Sequence, residues 1–161
     1  GQGITNIFKF YKEKKGMPIE GVLAEIDSSD DDEKPALISK NAQTNNTCRQ
    51  IMELFISMYG RFSGSLAVIF LPFSGFYLAG GIVTKNEELF VNDNLFMKNF
   101  EVNYNPNIKP LLKKIPVFIY FPGRAFQTGS TESGSPPSYL TSSGKRPGIS
   151  TLNWISRSLP I

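Results

Sequence analysis

The chain has 161 residues, enough for one domain or a piece of a larger one, and 40% of them are hydrophobic, enough for a core. It has no histidine, which excludes histidine acid–base catalysis and histidine metal ligation from within the chain; its one cysteine, Cys48, excludes an internal disulfide and fits a reducing, cytoplasmic setting. The net charge of +3 sits at the end, because residues 1–121 carry 13 Lys/Arg and 13 Asp/Glu while residues 122–161 carry four and one, so no basic stripe for nucleic acid is expected.

The first residue is Gly1 rather than Met, which suggests a fragment or a processed product, and no signal peptide is visible. Ile4, Ile7, Phe8 and Tyr11 recur at helical spacing, with Lys9, Lys12, Glu13 and Lys14 mostly opposite, so residues 4–15 predict an amphipathic helix that Gly16 stops. Residues 27–33 place five carboxylates within seven residues. They lack the spaced ligands, central glycine and closing glutamate of an EF-hand loop, so a solvated acidic loop is expected and no metal site. Pro35 suits the first turn of a short helix over about 35–43.

Residues 47–71 carry the longest helical pattern, with Thr47 as its N-cap and Pro72 as its stop; Ile51, Leu54, Phe55, Met58 and Phe62 recur at steps of three and four. Gly60 and Gly64 share one face, which predicts close packing on a neighbouring helix or sheet. Residues 62–84 are uncharged, but Pro72, Ser74, Gly75, Gly80 and Gly81 interrupt them, so a helix end, a turn and a strand are expected rather than a membrane span.

Residues 75–83 read as a buried strand that stops in a Gly80–Gly81 turn. Glycines there let backbone approach a ligand, and in α/β sheets ligands settle at the carboxyl ends of strands. Residues 86–101 predict helix in two pieces broken near Asn92–Asn94, residues 107–114 a short helix, and residues 116–121 a second buried strand. The order of elements predicts an α/β layer structure over residues 1–121. In residues 122–161, Ser, Thr, Gly and Pro make up 23 of 40 positions with no amphipathic period and no clear strand, so a disordered or loosely attached tail is expected.

Several of these segments resemble the bacterial glucokinase family, in order along the chain. Gly1-Gln2-Gly3-Ile4-Thr5-Asn6-Ile7-Phe8 is similar to the family's Gly-x-Gly-Leu-x-Asn opening of a helix. Cys48-Arg49, Leu54-Phe55, Tyr59-Gly60 and Gly64-Ser65-Leu66-Ala67 resemble its long helix. Tyr77-Leu78-Ala79-Gly80-Gly81-Ile82 resembles its adenosine motif, and Phe96, Phe100 and Ile115-Pro116-Val117 continue the pattern as far as Phe121. After Phe121 the chain departs from the family's Gly-Leu-Leu-Gly-type turn and final helix, so residues 122–161 are expected to be unrelated or frame-shifted sequence.

The resemblance implies the carboxyl-terminal part of an ATP-dependent glucokinase: a partial ribonuclease-H-like (actin-like ATPase) domain, helices packed on a mixed sheet. Members move the γ-phosphoryl group of ATP, bound with Mg²⁺, to the 6-hydroxyl of glucose in glycolysis. The family's Asp base, phosphate loop and sugar contacts lie upstream of the segment that matches Gly1, so no catalytic residue and no metal ligand is assigned here, and the isolated chain is expected to be inactive and poorly stable. The nucleotide-binding residues carried over are Gly80, Gly81, Ile82 and Val83. ATP and glucose are the partners expected of the full-length protein, with no nucleic acid and no membrane, and a homodimer stays open. A related sugar kinase, a kinase-like transcription regulator and a non-catalytic binding module are the alternatives.

Overall fold

The computed structural model describes residues 1–91 and 94–121, and the backbone of residues 152–154. The chain is α/β and mostly helical. It opens with α1 (Gln2–Lys14), α2 (Val22–Ser28), α3 (Lys34–Asn41) and the long α4 (Asn46–Phe70). Then come β1 (Phe76–Leu78), α5 (Gly81–Lys85), α6 (Glu87–Val91), α7 (Leu95–Phe100), a 3₁₀ turn at Pro106–Ile108, α8 (Lys109–Leu112), β2 (Val117–Tyr120) and β3 (Leu152–Trp154).

The amphipathic pattern of α1 buries Ile4, Ile7 and Phe8, and Lys12 and Lys14 in its last turn complement the helix dipole. The acidic segment is an exposed turn from Asp30 to Glu33, as expected, but not over its whole length. Its first part ends α2, a helix that the glycine and carboxylate runs around it concealed, and two of its five carboxylates, Asp27 and Asp31, pair with lysines. Lys12 Nζ lies 2.8 Å from Asp27 Oδ1, and Lys9 Nζ lies 2.5 Å from Asp31 Oδ2. Lys34, only 6% exposed, donates to Asp31 at 3.2 Å and to the Ser29 carbonyl, so its buried charge is paired. The Lys9 and Lys34 ammonium groups hold the Asp31 carboxyl below its ordinary value.

α4 starts earlier than a Thr47 cap implies. Asn45 is the N-cap, and its side-chain oxygen accepts from the Cys48 N–H at 3.0 Å. The helix serves two cores. Its first half places Cys48, Ile51 and Met52 among Ile4, Phe8, Ile26 and Ile38. Its second half places Ile56 and Ala67 among Phe90, Phe96, Phe100, Leu112 and Ile119. Burial pushes up the pKa of both the Cys48 thiol and the Tyr59 phenol.

The Gly60/Gly64 pair packs on α7 as expected. A Cβ at Gly60 would stand 2.6 Å from the Phe96 carbonyl oxygen, and one at Gly64 would stand 2.2 Å from that of Phe100. The helix backbones therefore touch directly, with Phe96 and Phe100 fully buried beside them. The opposite face of α4 and the turn after it leave Met58 at 56%, Phe62 at 60%, Ile69 at 70%, Phe70 at 73% and Phe73 at 50% exposure. None of the described helices is long and apolar enough to cross a membrane.

β1 and β2 run parallel, with Phe76 opposite Val117, Tyr77 opposite Phe118 and Leu78 opposite Ile119; β3 pairs antiparallel to β2. The pairing makes a small mixed sheet of order β1-β2-β3. Leu78 and Ile119 enter the core, while Tyr77 stacks on Phe118 at 5.2 Å and stays 42% exposed. The run 75–83 is thus not one buried strand. Strand ends at Leu78, and Ile82 and Val83 lie in α5, because Gly80 turns the backbone through φ 107° and the helix begins immediately after it. The helix 86–101 does divide, into α6 and α7, with Asn94 left-handed at the start of the second piece. The expected 122–161 tail lies outside the described residues except at Leu152–Trp154, where the backbone forms a strand that the composition did not indicate.

Candidate functional site

Parallel pairing brings the carboxyl ends of β1 and β2 to one edge of the sheet, the position at which open α/β sheets receive ligands. The chain leaves β1 at that edge through Ala79 and Gly80 and enters α5. Gly80, with φ 107° and ψ 163°, occupies a region that only glycine adopts without strain. No atom lies within 4 Å of a Cβ built at either Gly80 or Gly81, so both glycines border open space. Of the four residues assigned to the nucleotide, Gly80 and Gly81 are exposed and Ile82 is half-buried against the first-half core; Val83 is 1% exposed and packs in the second.

Next to this turn lies a cleft of about 420 Å³ between the end of α3 and the α5–α6 segment, lined by Ser39, Lys40, Gln43, Thr84, Asn86 and Glu88 among others. Thr84 belongs to both features, since its hydroxyl donates to the Gly80 carbonyl at 3.2 Å. Two hydrogen bonds span the cleft. At its floor Ser39 Oγ donates to Asn86 Oδ1 at 2.5 Å, and at its exposed rim Gln43 Nε2 donates to Glu88 Oε2 at 3.3 Å. Lys40 and Lys85 stand with Glu87 and Glu88 around the opening, so the charges balance and a polar, uncharged group fits the space between them. Among the described residues no three His, Cys, Asp or Glu side chains stand close enough to hold a metal ion.

The two glycines were visible in the sequence, but none of the cleft's polar residues was. The available signal was Ser39 near the end of α3 and Gln43 in the turn just past it, polar where Ile38 and Ala42 are buried. Their partners lie 47 and 45 residues away, which no local pattern reports.

A glycine turn at the carboxyl ends of parallel strands, with a polar cleft beside it, in a mostly helical α/β chain is the geometry of the candidate site. Residues 1–131 match the glucokinase family. A glucokinase of Nostoc sp. is 35% identical over 130 residues, covering 74% of this chain and 37% of that protein. Glucokinases of Trichormus variabilis and Photorhabdus laumondii are each 34% identical, the first over 130 residues and the second over 91, covering 74% and 55% of this chain and 37% and 27% of those proteins. No solved structure matches. The chain belongs to the glucokinase family, and it spans little more than a third of the length of the Nostoc and Trichormus relatives.

Proposed function

We propose that this chain is the nucleotide-side segment of an ATP-dependent glucokinase, a piece of a ribonuclease-H-like sugar kinase that transfers the γ-phosphoryl group of ATP to the 6-hydroxyl of glucose. The observation that carries this is the Gly80–Gly81 turn, open on its ligand side and set beside a polar cleft, in a chain whose family is glucokinase. Backbone free of Cβ atoms offers a flat shelf for a base, and the cleft's hydroxyl, amide and carboxylate groups suit the hydroxyls of a ribose. In this reading adenosine lies along Gly80, Gly81 and Ile82 with Thr84 beneath, and Val83 anchors the turn from the core.

Phosphoryl transfer relies on positioning and on stabilising charge at the phosphates. In the proposed arrangement the phosphate loop, the carboxylate base and the glucose contacts come from the part of a glucokinase that this chain does not match. In the same arrangement the Mg²⁺ that accompanies ATP is held mainly by the nucleotide and by that other part. The exposed Phe62, Ile69, Phe70 and Phe73 are consistent with this division, because apolar surface of that extent serves contact with further polypeptide.

Calorimetric titration of the whole chain with Mg-ATP tests the proposal. Saturable binding that Gly81→Val removes, with the melting temperature not lowered, is the expected result. Equal binding by the variant rejects Gly81 as part of the site.

A further inference from the structure

We propose that Ser39 and Asn86 form a positioning pair, whose hydrogen bond fixes the cleft and holds the Gly80–Gly81 turn in its binding geometry. The inference rests on the nucleotide reading of that turn. Asn86 sits at the junction of α5 and α6 and is only 7% exposed. Its N–H donates to the Val83 carbonyl at 3.3 Å, and its own carbonyl accepts from the Leu89 and Phe90 N–H groups at 3.0 and 3.2 Å. Its side-chain Nδ2 donates to the Ile82 carbonyl at 2.8 Å, closing α5 from inside. Every one of these bonds is local. The bond from Ser39 Oγ to Asn86 Oδ1 instead ties this residue to α3, across 47 residues.

That bond matters because α5 cannot place itself. A helix of five residues is far below the length that sustains itself in water, so tertiary ties set its position. Before it lies Gly80, whose backbone meets no neighbour on its side-chain face and resists rotation little. Val83 holds the core side of α5, and Asn86 holds its cleft side. Loss of the Ser39 hydroxyl leaves a buried amide oxygen unpaired, which favours rotation of Asn86 and loosening of the Ile82 contact on the same side chain. The displaced carbonyl belongs to a residue of the nucleotide shelf. The carboxamide is specific to this task, since it accepts from α3 and donates to α5 at once; a carboxylate there accepts only.

The test is Mg-ATP affinity measured beside thermal stability in Ser39→Ala, Ser39→Thr, Asn86→Ala and the Ser39→Ala/Asn86→Ala double variant of the whole chain. We expect Ser39→Ala to weaken Mg-ATP binding about 5- to 10-fold at a temperature where circular dichroism shows it fully folded, and Ser39→Thr to restore it. The double variant should bind no more weakly than Asn86→Ala alone, as for two residues acting through one bond. Ser39→Ala is the decisive member, since it remains informative if Asn86→Ala does not fold. A lower melting temperature with Mg-ATP affinity unchanged in Ser39→Ala overturns the proposal and leaves the bond a stability contact. Gly81→Val separates the two claims. If it abolishes binding while Ser39→Ala does not affect it, positioning fails and the nucleotide site stands; if the parent chain binds no Mg-ATP, both fail.

Discussion

Gly64→Ala adds one methyl group where α4 meets α7, and the local geometry sets its cost. The new Cβ would stand 2.2 Å from the Phe100 carbonyl oxygen, 3.1 Å from its carbonyl carbon and 3.3 Å from its Cα. Ordinary contact begins near 3.4 Å, so α7 must retreat by roughly 1 Å. The obstacle is backbone, which cannot rotate away. Retreat also disturbs Phe100, which packs on Phe76 and Phe96 at ring-centroid distances of 5.8 and 6.1 Å and is fully buried. Overpacking of this kind costs about 3 kcal/mol at the upper end, and the better helix propensity of alanine returns about 1. The net loss is about 2 kcal/mol, or roughly 4–8 °C in melting temperature for a chain of this size. Urea unfolding monitored by far-ultraviolet circular dichroism measures it. A Gly64→Ala chain as stable as the parent, or more stable, refutes the direct α4–α7 backbone contact.

Three further outcomes are expected from the same structure. Gly80→Ala should destabilise by about 1–3 kcal/mol, because φ 107° strains any L side chain even in open space, whereas Gly81→Ala should stabilise by up to about 1 kcal/mol; equal effects in urea unfolding contradict the assigned turn. The depressed pKa of Asp31 means that its bonds to Lys9 and Lys34 add stability above its ordinary 3.8, and that this is lost as pH falls through the lower folded value. Asp31→Asn should therefore flatten the acid limb of the stability–pH curve, and an unchanged limb shows that those contacts add no stability. Cys48 is fully buried with a raised thiol pKa, so native chain should react with a thiol reagent only at the rate of opening; immediate labelling in buffer contradicts its place in the core.

Where the sequence was legible, each signal was a short run or a fixed spacing along the chain. The three- and four-residue steps of α4 foretold the long helix, and the paired Gly60 and Gly64 foretold its close packing on a neighbouring element, which is α7. The run from Val117 to Tyr120 foretold β2. Ile82 and Val83 misled, because two β-branched residues after a strand favour more strand; the core contact of Val83 and the Asn86 bond to Ile82 decide for helix instead. α2 went unseen because Gly21 and the carboxylates after Ile26 look like loop, while burial of Leu23 and Ile26 supplies the helix with its purpose. The glycines of the candidate site were visible. Its cleft was not, because Ser39–Asn86 and Gln43–Glu88 are pairs that only the tertiary fold brings together.

Residues around Gly80–Gly81 are proposed to serve a glucokinase as its nucleotide shelf. A chimera tests this in one step: this chain is joined to the part of the Nostoc glucokinase that it does not match, and glucose-dependent ADP formation from Mg-ATP is recorded. Turnover by the chimera is expected, and so is its loss in Gly81→Val, with the urea midpoint no lower because a side chain at Gly81 meets nothing within the chain. A folded, soluble chimera that makes no ADP, or a Gly81→Val chimera as active as its parent, would contradict the nucleotide assignment.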